Sequence, residues 1–273
     1  MFGKPEHSEA SEGHQPGYLP PGRIPGPYQL NEPDLEKTLS DDDKTNSFAD
    51  SAVRSKFVRK VYLILSVQLG FTTVFNIPFL YMDNVQEFIY DYSWVVFVAL
   101  AVFVVPYFML VCCESTRRSF PTNTILLLIM TIGMAGVCGF VTAKLDTEVV
   151  FYAFLLTVVV TLSITVLAIF CPFDFTSCQM VMCVVFIVLT VFAMIAAVIV
   201  IVTHSRIVNL IYAGICVILF SLFLIFDTQA IIGGRRVSLR PDEYILGAIQ
   251  IYVDVVEIFL NFLELIGACT END

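Results

Sequence analysis

The sequence predicts an all-α integral membrane protein of about seven transmembrane helices. Three observations predict it. The 273 residues are 57% hydrophobic and 15% charged, with a mean hydropathy of +0.80, whereas soluble domains carry about a quarter charged residues. Seven apolar runs follow one another at short intervals, each long enough to cross a hydrocarbon core of ~30 Å at ~1.5 Å per residue. Every lysine and arginine lies outside those runs.

The first fifty residues set themselves apart. They hold ten acids against Lys4, Arg23, Lys37 and Lys44, so the net charge of −10 is largely a property of the tail. No basic stripe offers a nucleic-acid footprint, and no nucleic-acid partner is expected. Proline, glycine and acids without apolar periodicity read as a disordered segment. Within it, Pro16–Tyr28 (PGYLPPGRIPGPY) has polyproline II character suited to WW or SH3 domains; a solvated tail without a partner is the plainer alternative. Met1 is followed by polar sequence rather than a signal peptide, so the first apolar helix should act as an uncleaved anchor. The expected domains are a cytosolic tail over 1–50, a seven-helix membrane domain over 51–267, and a short tail over 268–273.

The runs fall at 61–82, 93–113, 123–143, 149–170, 180–202, 207–232 and 244–267. Unbroken Val, Ile, Leu and Phe fit lipid-facing helices, since barrel strands alternate polar and apolar residues over shorter segments. With the N-terminus cytosolic, the inner loops receive Arg54, Lys56, Arg59, Lys60, Arg117, Arg118, Arg235, Arg236 and Arg240. The outer loops receive only Lys144 and Arg206. Nine basic residues against two fix this orientation by the positive-inside rule. The seventh run carries more polar groups than the others. Nothing within it breaks a helix, so a full span is expected rather than a re-entrant hairpin.

The eight cysteines form no C-x-x-C pair, and the three histidines are scattered. Zinc is therefore not expected. The cysteines read as small buried apolar side chains, with Cys112 and Cys113 at a helix end as acylation candidates.

Acids, unlike bases, do enter the runs. Asp227 lies in the sixth, and Asp254, Glu257 and Glu264 lie in the seventh. A carboxylate at bilayer depth costs several kcal/mol and faces a protein interior or a water-filled path. Gln250, Asp254, Glu257, Asn261 and Glu264 are spaced by four, three, four and three residues, which is one stripe of a helix. The opposite face reads as Ile, Val, Phe and Leu, so a central helix lining a cavity is expected. Asp227 lies ~9 Å before the Gly233–Gly234 turn and Asp254 ~15 Å after Tyr244, both along a helix axis. The two carboxylates should therefore approach in the inner half of the bilayer.

Close carboxylates in low dielectric do not both ionise easily and titrate as a unit. Ionised, they offer oxygens to a hard cation, though calcium takes ~6–8. The resulting weak site suits conduction, from which an ion must also leave. A carboxyl–carboxylate bond that merely ties two helices is the alternative.

Several stretches carry a resemblance: Arg59–Leu65 (RKVYLIL), Arg117–Asn123 (RRSFPTN), Phe173–Gln179 (FDFTSCQ), Phe226–Gln229 (FDTQ) and Pro241–Asp254 (PDEYILGAIQIYVD). In this order they resemble the transmembrane Bax-inhibitor-motif family, and FDFTSCQ with the Pro-rich tail resembles its lifeguard branch. The resemblance implies six helices around a central C-terminal helix. It implies a pH-regulated calcium leak across intracellular membranes, gated by an aspartate pair that falls here on Asp227 and Asp254, and protection from apoptosis and death-receptor signalling. It also implies that an arginine after the second span, Arg117 or Arg118, latches the aspartate of the sixth. Ordinary positive-inside anchoring is the alternative for both. Glu257 and Glu264 lie outside the shared pattern; they either extend the ion path or pair with Asn261 and water.

The expectations are thus a channel with no cofactor and calcium as its permeant ion, lipid as its surroundings, and apoptosis regulators or death-receptor components as partners. An adaptor without conduction is a second class. An intramembrane aspartyl protease is a third, weakened because Asp254 follows Ile251–Tyr252–Val253 rather than Gly-x-Gly; an enzyme is not expected. A seven-helix receptor is disfavoured by short loops without an outer cysteine pair. Endoplasmic reticulum, Golgi, endolysosome and plasma membrane all fit, since no retention signal ends the chain.

Overall fold

The computed structural model describes residues 32–203 and 206–270, in a chain that divides into two compact units, Met1–Ser47 and Phe48–Asp273. The Pro16–Tyr28 segment lies outside the described residues. Helix α1 runs Glu32–Tyr81, α2 Asp83–Asp91, α3 Val95–Cys112, α4 Glu114–Arg118, α5 Thr122–Thr142, α6 Thr147–Phe170, α7 Gln179–Thr203, α8 Arg206–Ile232 and α9 Tyr244–Thr270, with a 3-10 turn at Phe175–Cys178. Among the described residues there is no strand. The protein is an all-α integral membrane protein.

Among the described residues six helices are long and apolar enough to cross a membrane: α1 over Asp50–Tyr81, then α3, α5, α6, α8 over Ile207–Ile232, and α9. Helix α7, 25 residues long, supplies the remaining apolar segment, described as such over Phe175–Leu189. Each expected run thus coincides with a helix to within a few residues, except at the first. There the helix begins at Glu32, within the acidic stretch, because Glu, Lys, Leu and Asp in a helical register need no apolar face to continue one. Two short helices, α2 and α4, were not expected. Helix α9 is unbroken over 27 residues, a length of ~40 Å, as a full span requires.

Burial ranks the helices. Of the most apolar window of α9, 56% is buried, against 44% for α5 and 11% for α3. A helix apolar on every side can face lipid everywhere, whereas the polar stripe of α9 must be covered by protein. The buried core accordingly gathers Ile249, Tyr252, Ile258 and Leu263 of α9 with Val61 of α1, Leu110 of α3, Met130 of α5 and Leu224 of α8. Gly133 lets α3 and α5 touch: a Cβ there would collide with the backbone of Val102 and Phe103.

The cysteine expectation is corrected. Only Cys138 and Cys216 are buried, while Cys112, Cys113, Cys183 and Cys269 are exposed. On a membrane helix an apolar thiol has no need of a protein core, because the surrounding hydrocarbon serves as well.

Helices α8 and α9 meet through a loop at the end of the bundle that also carries Arg54, Arg117 and Arg235. Gly233 and Gly234 both adopt positive φ, 79° and 73°, a conformation natural to glycine after a helix C-terminus. Arg54 presses against Gly233 and donates to the Leu239 carbonyl at 2.7 Å. Lys60 lies 3.2 Å over the Tyr244 ring. These contacts set where α9 enters the bundle.

Candidate functional site

The expected aspartates come together. Asp227 of α8 and Asp254 of α9 are 8% and 5% exposed, and their carboxyls lie within hydrogen-bonding reach of each other. Such a bond requires one of the two to hold a proton. The Gln250 amide, one turn before Asp254 on α9, donates from Nε2 to Asp227 Oδ1 at 3.0 Å. Two buried acceptors at this point have no protein partner, Gln250 Oε1 and Asp254 Oδ2. The protein therefore satisfies the polar atoms of this site only in part.

Further along the stripe Glu264 accepts a short hydrogen bond from the Asn209 amide of α8, while Asn261 donates within α9 to the Glu257 carbonyl at 2.8 Å. Glu257 stands between Asp254 and Asn261. Its charge acts on Tyr107, Cys138, Tyr212 and Cys216 from α3, α5 and α8.

The expected arginine latch takes another form. Arg117 is 8% exposed and pairs with Glu243 at 2.8 Å, at the entry to α9, while also donating to the carbonyls of Leu110 and Val111. Arg118 pairs with Glu114 and with Asp242. Neither reaches Asp227. Arg117 sits past the end of α3, near the loop at which α9 begins, and Glu243 is the acid that this geometry offers.

The two sequence motifs that looked separate are one structure. Gln229, two residues after Asp227, accepts from the Phe175 amide at 2.9 Å and donates to the Phe173 and Ala168 carbonyls. Asp174 closes the same loop. Its Oδ1 takes the Thr176 hydroxyl at 2.6 Å and the Thr176 amide; its Oδ2 takes Ser177 and the Arg236 amide. These donors, led by the Thr176 hydroxyl, hold the Asp174 carboxyl down at about 2. FDFTSCQ and FDTQ are thus bound to each other beside the aspartate pair.

Sequence reasoning missed a second polar stripe. Gln68, Thr72 and Asn76 of α1 are spaced by four residues and are all buried. Gln68 donates to Thr131 at 3.0 Å, Thr72 shares a 2.8 Å bond with the Tyr252 hydroxyl, and Asn76 meets Thr142 and the Ala135 carbonyl. The four-residue spacing was the available signal. Uncharged residues carry it less loudly than acids do.

The cavity also lies elsewhere than expected. A space of about 560 Å³, lined by Thr72, Asn76, Thr142, Thr157, Val256 and Phe259 among others, opens on the side of α9 opposite the acids. On the acid side, Asp227 and Asn209 of α8 instead meet Gln250 and Glu264 of α9.

Apolar helices packed with a polar last one, and an aspartate pair between the last two, define a class of membrane protein. The family described as Inhibitor of apoptosis-promoting Bax1 matches residues 54–271, and the chain belongs to this Bax-inhibitor-motif family, within its lifeguard branch. Protein lifeguard 3 of Mus musculus is 35% identical over 268 residues, covering 97% of this chain and 87% of that protein. Protein lifeguard 3 of Homo sapiens is 36% identical over 265 residues, 93% of this chain and 85% of its own. Protein lifeguard 4 of Mus musculus is 29% identical over 235 residues, 85% and 94% respectively.

Proposed function

We propose that this protein is an anti-apoptotic calcium leak channel of intracellular membranes, with its N-terminus cytosolic, whose conduction is set by pH through Asp227 and Asp254. Family membership supports the anti-apoptotic role. The observation that carries the ion-path reading is the pair of carboxyls within bonding reach of each other, with Asp254 Oδ2 unpartnered inside the bilayer.

The physical logic is direct. While one carboxyl holds a proton, the pair is a singly charged carboxyl–carboxylate bond that ties α8 to α9. Once both ionise they repel, and α8 and α9 must part or gain a cation. Two carboxylates and the Gln250 carbonyl oxygen provide some of the ~6–8 oxygens that calcium takes, with water for the rest. Damping of death signalling follows if the leak lowers the calcium stored in the compartment. Apoptosis regulators, and WW or SH3 domains at Pro16–Tyr28, are the proposed partners.

Calcium flux into proteoliposomes between pH 5 and 8 tests this reading. Wild type should leak with a pH response that Asp227→Asn and Asp254→Asn each abolish. Correctly folded wild type that passes no calcium would remove the reading and leave an adaptor.

A further inference from the structure

Between Ile207 and Thr270, helices α8 and α9 carry four acids, Asp227, Asp254, Glu257 and Glu264, and no lysine or arginine. Three are accounted for in part by neighbours: Asp227 by Gln250 and Asp254, Asp254 by Asp227, and Glu264 by Asn209. Glu257 is not. No described residue offers its carboxylate a hydrogen bond or an ion pair.

Glu257 stands three residues beyond Asp254 on the same stripe, a rise of ~4.5 Å, and the two charges act on each other. Asp254 is 5% exposed and its Oδ2 is unpartnered. Asp254 Oδ2 and the Glu257 carboxylate therefore stand one turn apart, and neither α8 from Ile207 onward nor α9 brings a lysine or arginine. Membrane carboxylates at such depth are neutralised by a partner or a proton, or they line an ion path. Tyr212 and Cys216 of α8 and Cys138 of α5 are the polar neighbours that Glu257 influences, and none of them brings a positive charge.

We infer that Glu257 and Asp254 Oδ2 form a second station for a hard divalent cation, one helical turn from the Asp227–Asp254 pair. Its place in conduction rests on the channel reading above; its capacity to bind a cation does not. Among the described residues no three His, Cys, Asp or Glu side chains converge on a metal geometry. The station thus consists of two carboxylates completed by water, and it is weak. Two weak sites in series let an entering ion displace the one ahead of it. Asp227 belongs to the first site and not to the second, so substitutions separate them.

The test uses full-length protein in detergent micelles and in proteoliposomes. Terbium(III), a calcium substitute with luminescence excited through tyrosine, reports binding beside Tyr212 and Tyr107. Wild type should give a saturable signal that calcium displaces. Glu257→Gln should weaken terbium affinity at least tenfold, and Glu257→Asp should restore most of it, which separates a lost ligand from a lost fold. In proteoliposomes Glu257→Gln should reduce the preference for calcium over sodium. No saturable terbium signal in wild type, or equal affinity in wild type and Glu257→Gln, would mean that Glu257 simply holds a proton, and would overturn the inference while leaving the aspartate gate intact. Loss of terbium binding in Glu257→Gln, together with a leak indifferent to Asp227→Asn and Asp254→Asn, would retain the station and remove the gate.

Discussion

Gln229 and Phe175 are joined across 54 residues of chain: the Phe175 amide donates to Gln229 Oε1 at 2.9 Å, two residues from the aspartate of α8. Gln229 is 1% exposed, and its amide also fixes the Phe173 carbonyl at 3.0 Å. The loop between α6 and α7 is therefore held by the helix that carries Asp227, and a shift of α8 must move that loop.

Replacing Gln229 with leucine should release the loop. A buried polar group left without a partner costs roughly 1–3 kcal/mol. Hydrogen exchange should accelerate over 171–178 and, through the Val237 amide that bonds Thr176 Oγ1, over 233–239. Unchanged exchange in both segments would separate α8 from the loop.

Asp174 makes the loop sensitive to acid. Its folded carboxyl sits at about 2, below the ~3.9 of an unfolded aspartate. Its contribution is thus complete above ~4 and is lost as pH falls through about 2. The mobility of a spin label carried on Cys178, four residues on, should be constant from pH 8 to 5 and should increase only below ~4. Asp174→Asn should give the open-loop mobility at every pH.

The Arg117–Glu243 pair should be costly to break from one side. Their side chains are 9% and 14% exposed, and a buried pair stripped of one member loses roughly 3 kcal/mol. Glu243→Gln should lower the unfolding midpoint in detergent sharply, and Arg117→Met with Glu243→Leu should recover part of the loss. Equal midpoints for Glu243→Gln and wild type would make the pair a surface contact.

Thr72 and Tyr252 offer a double-mutant cycle. Hydrogen bonds between membrane helices average ~0.6 kcal/mol. Tyr252→Phe and Thr72→Val should each cost about that much, and the double variant no more than either. Additive losses would show that the 2.8 Å contact is incidental.

Gly133→Ala should push α3 from α5, because the new methyl meets the backbone of Val102 and Phe103. Overpacking costs ~1–3 kcal/mol. A crosslink between cysteines placed at Ala99 and Gly136, which also face one another, should form more slowly in that variant.

The membrane class, the places of the helices and the approach of Asp227 to Asp254 could all be read from residue order. Continuous apolar runs have one solution in a bilayer, since lipid cannot satisfy a backbone that is not helical. An acid inside such a run is conspicuous because it is expensive. The Gln68–Thr72–Asn76 stripe was equally periodic but neutral, and passed unnoticed. The partner of Arg117 was not legible, because charge alone cannot say which of several acids a loop will present. Nor was the side of α9 that carries the cavity, or the union of FDFTSCQ with Gln229. Hydropathy and spacing act along the chain, within one helix, and so the sequence by itself determined what spans and which face is polar. Which faces meet depends on the packing of helices far apart in the chain, where lipid exerts no hydrophobic preference between them, and only the tertiary structure decided it.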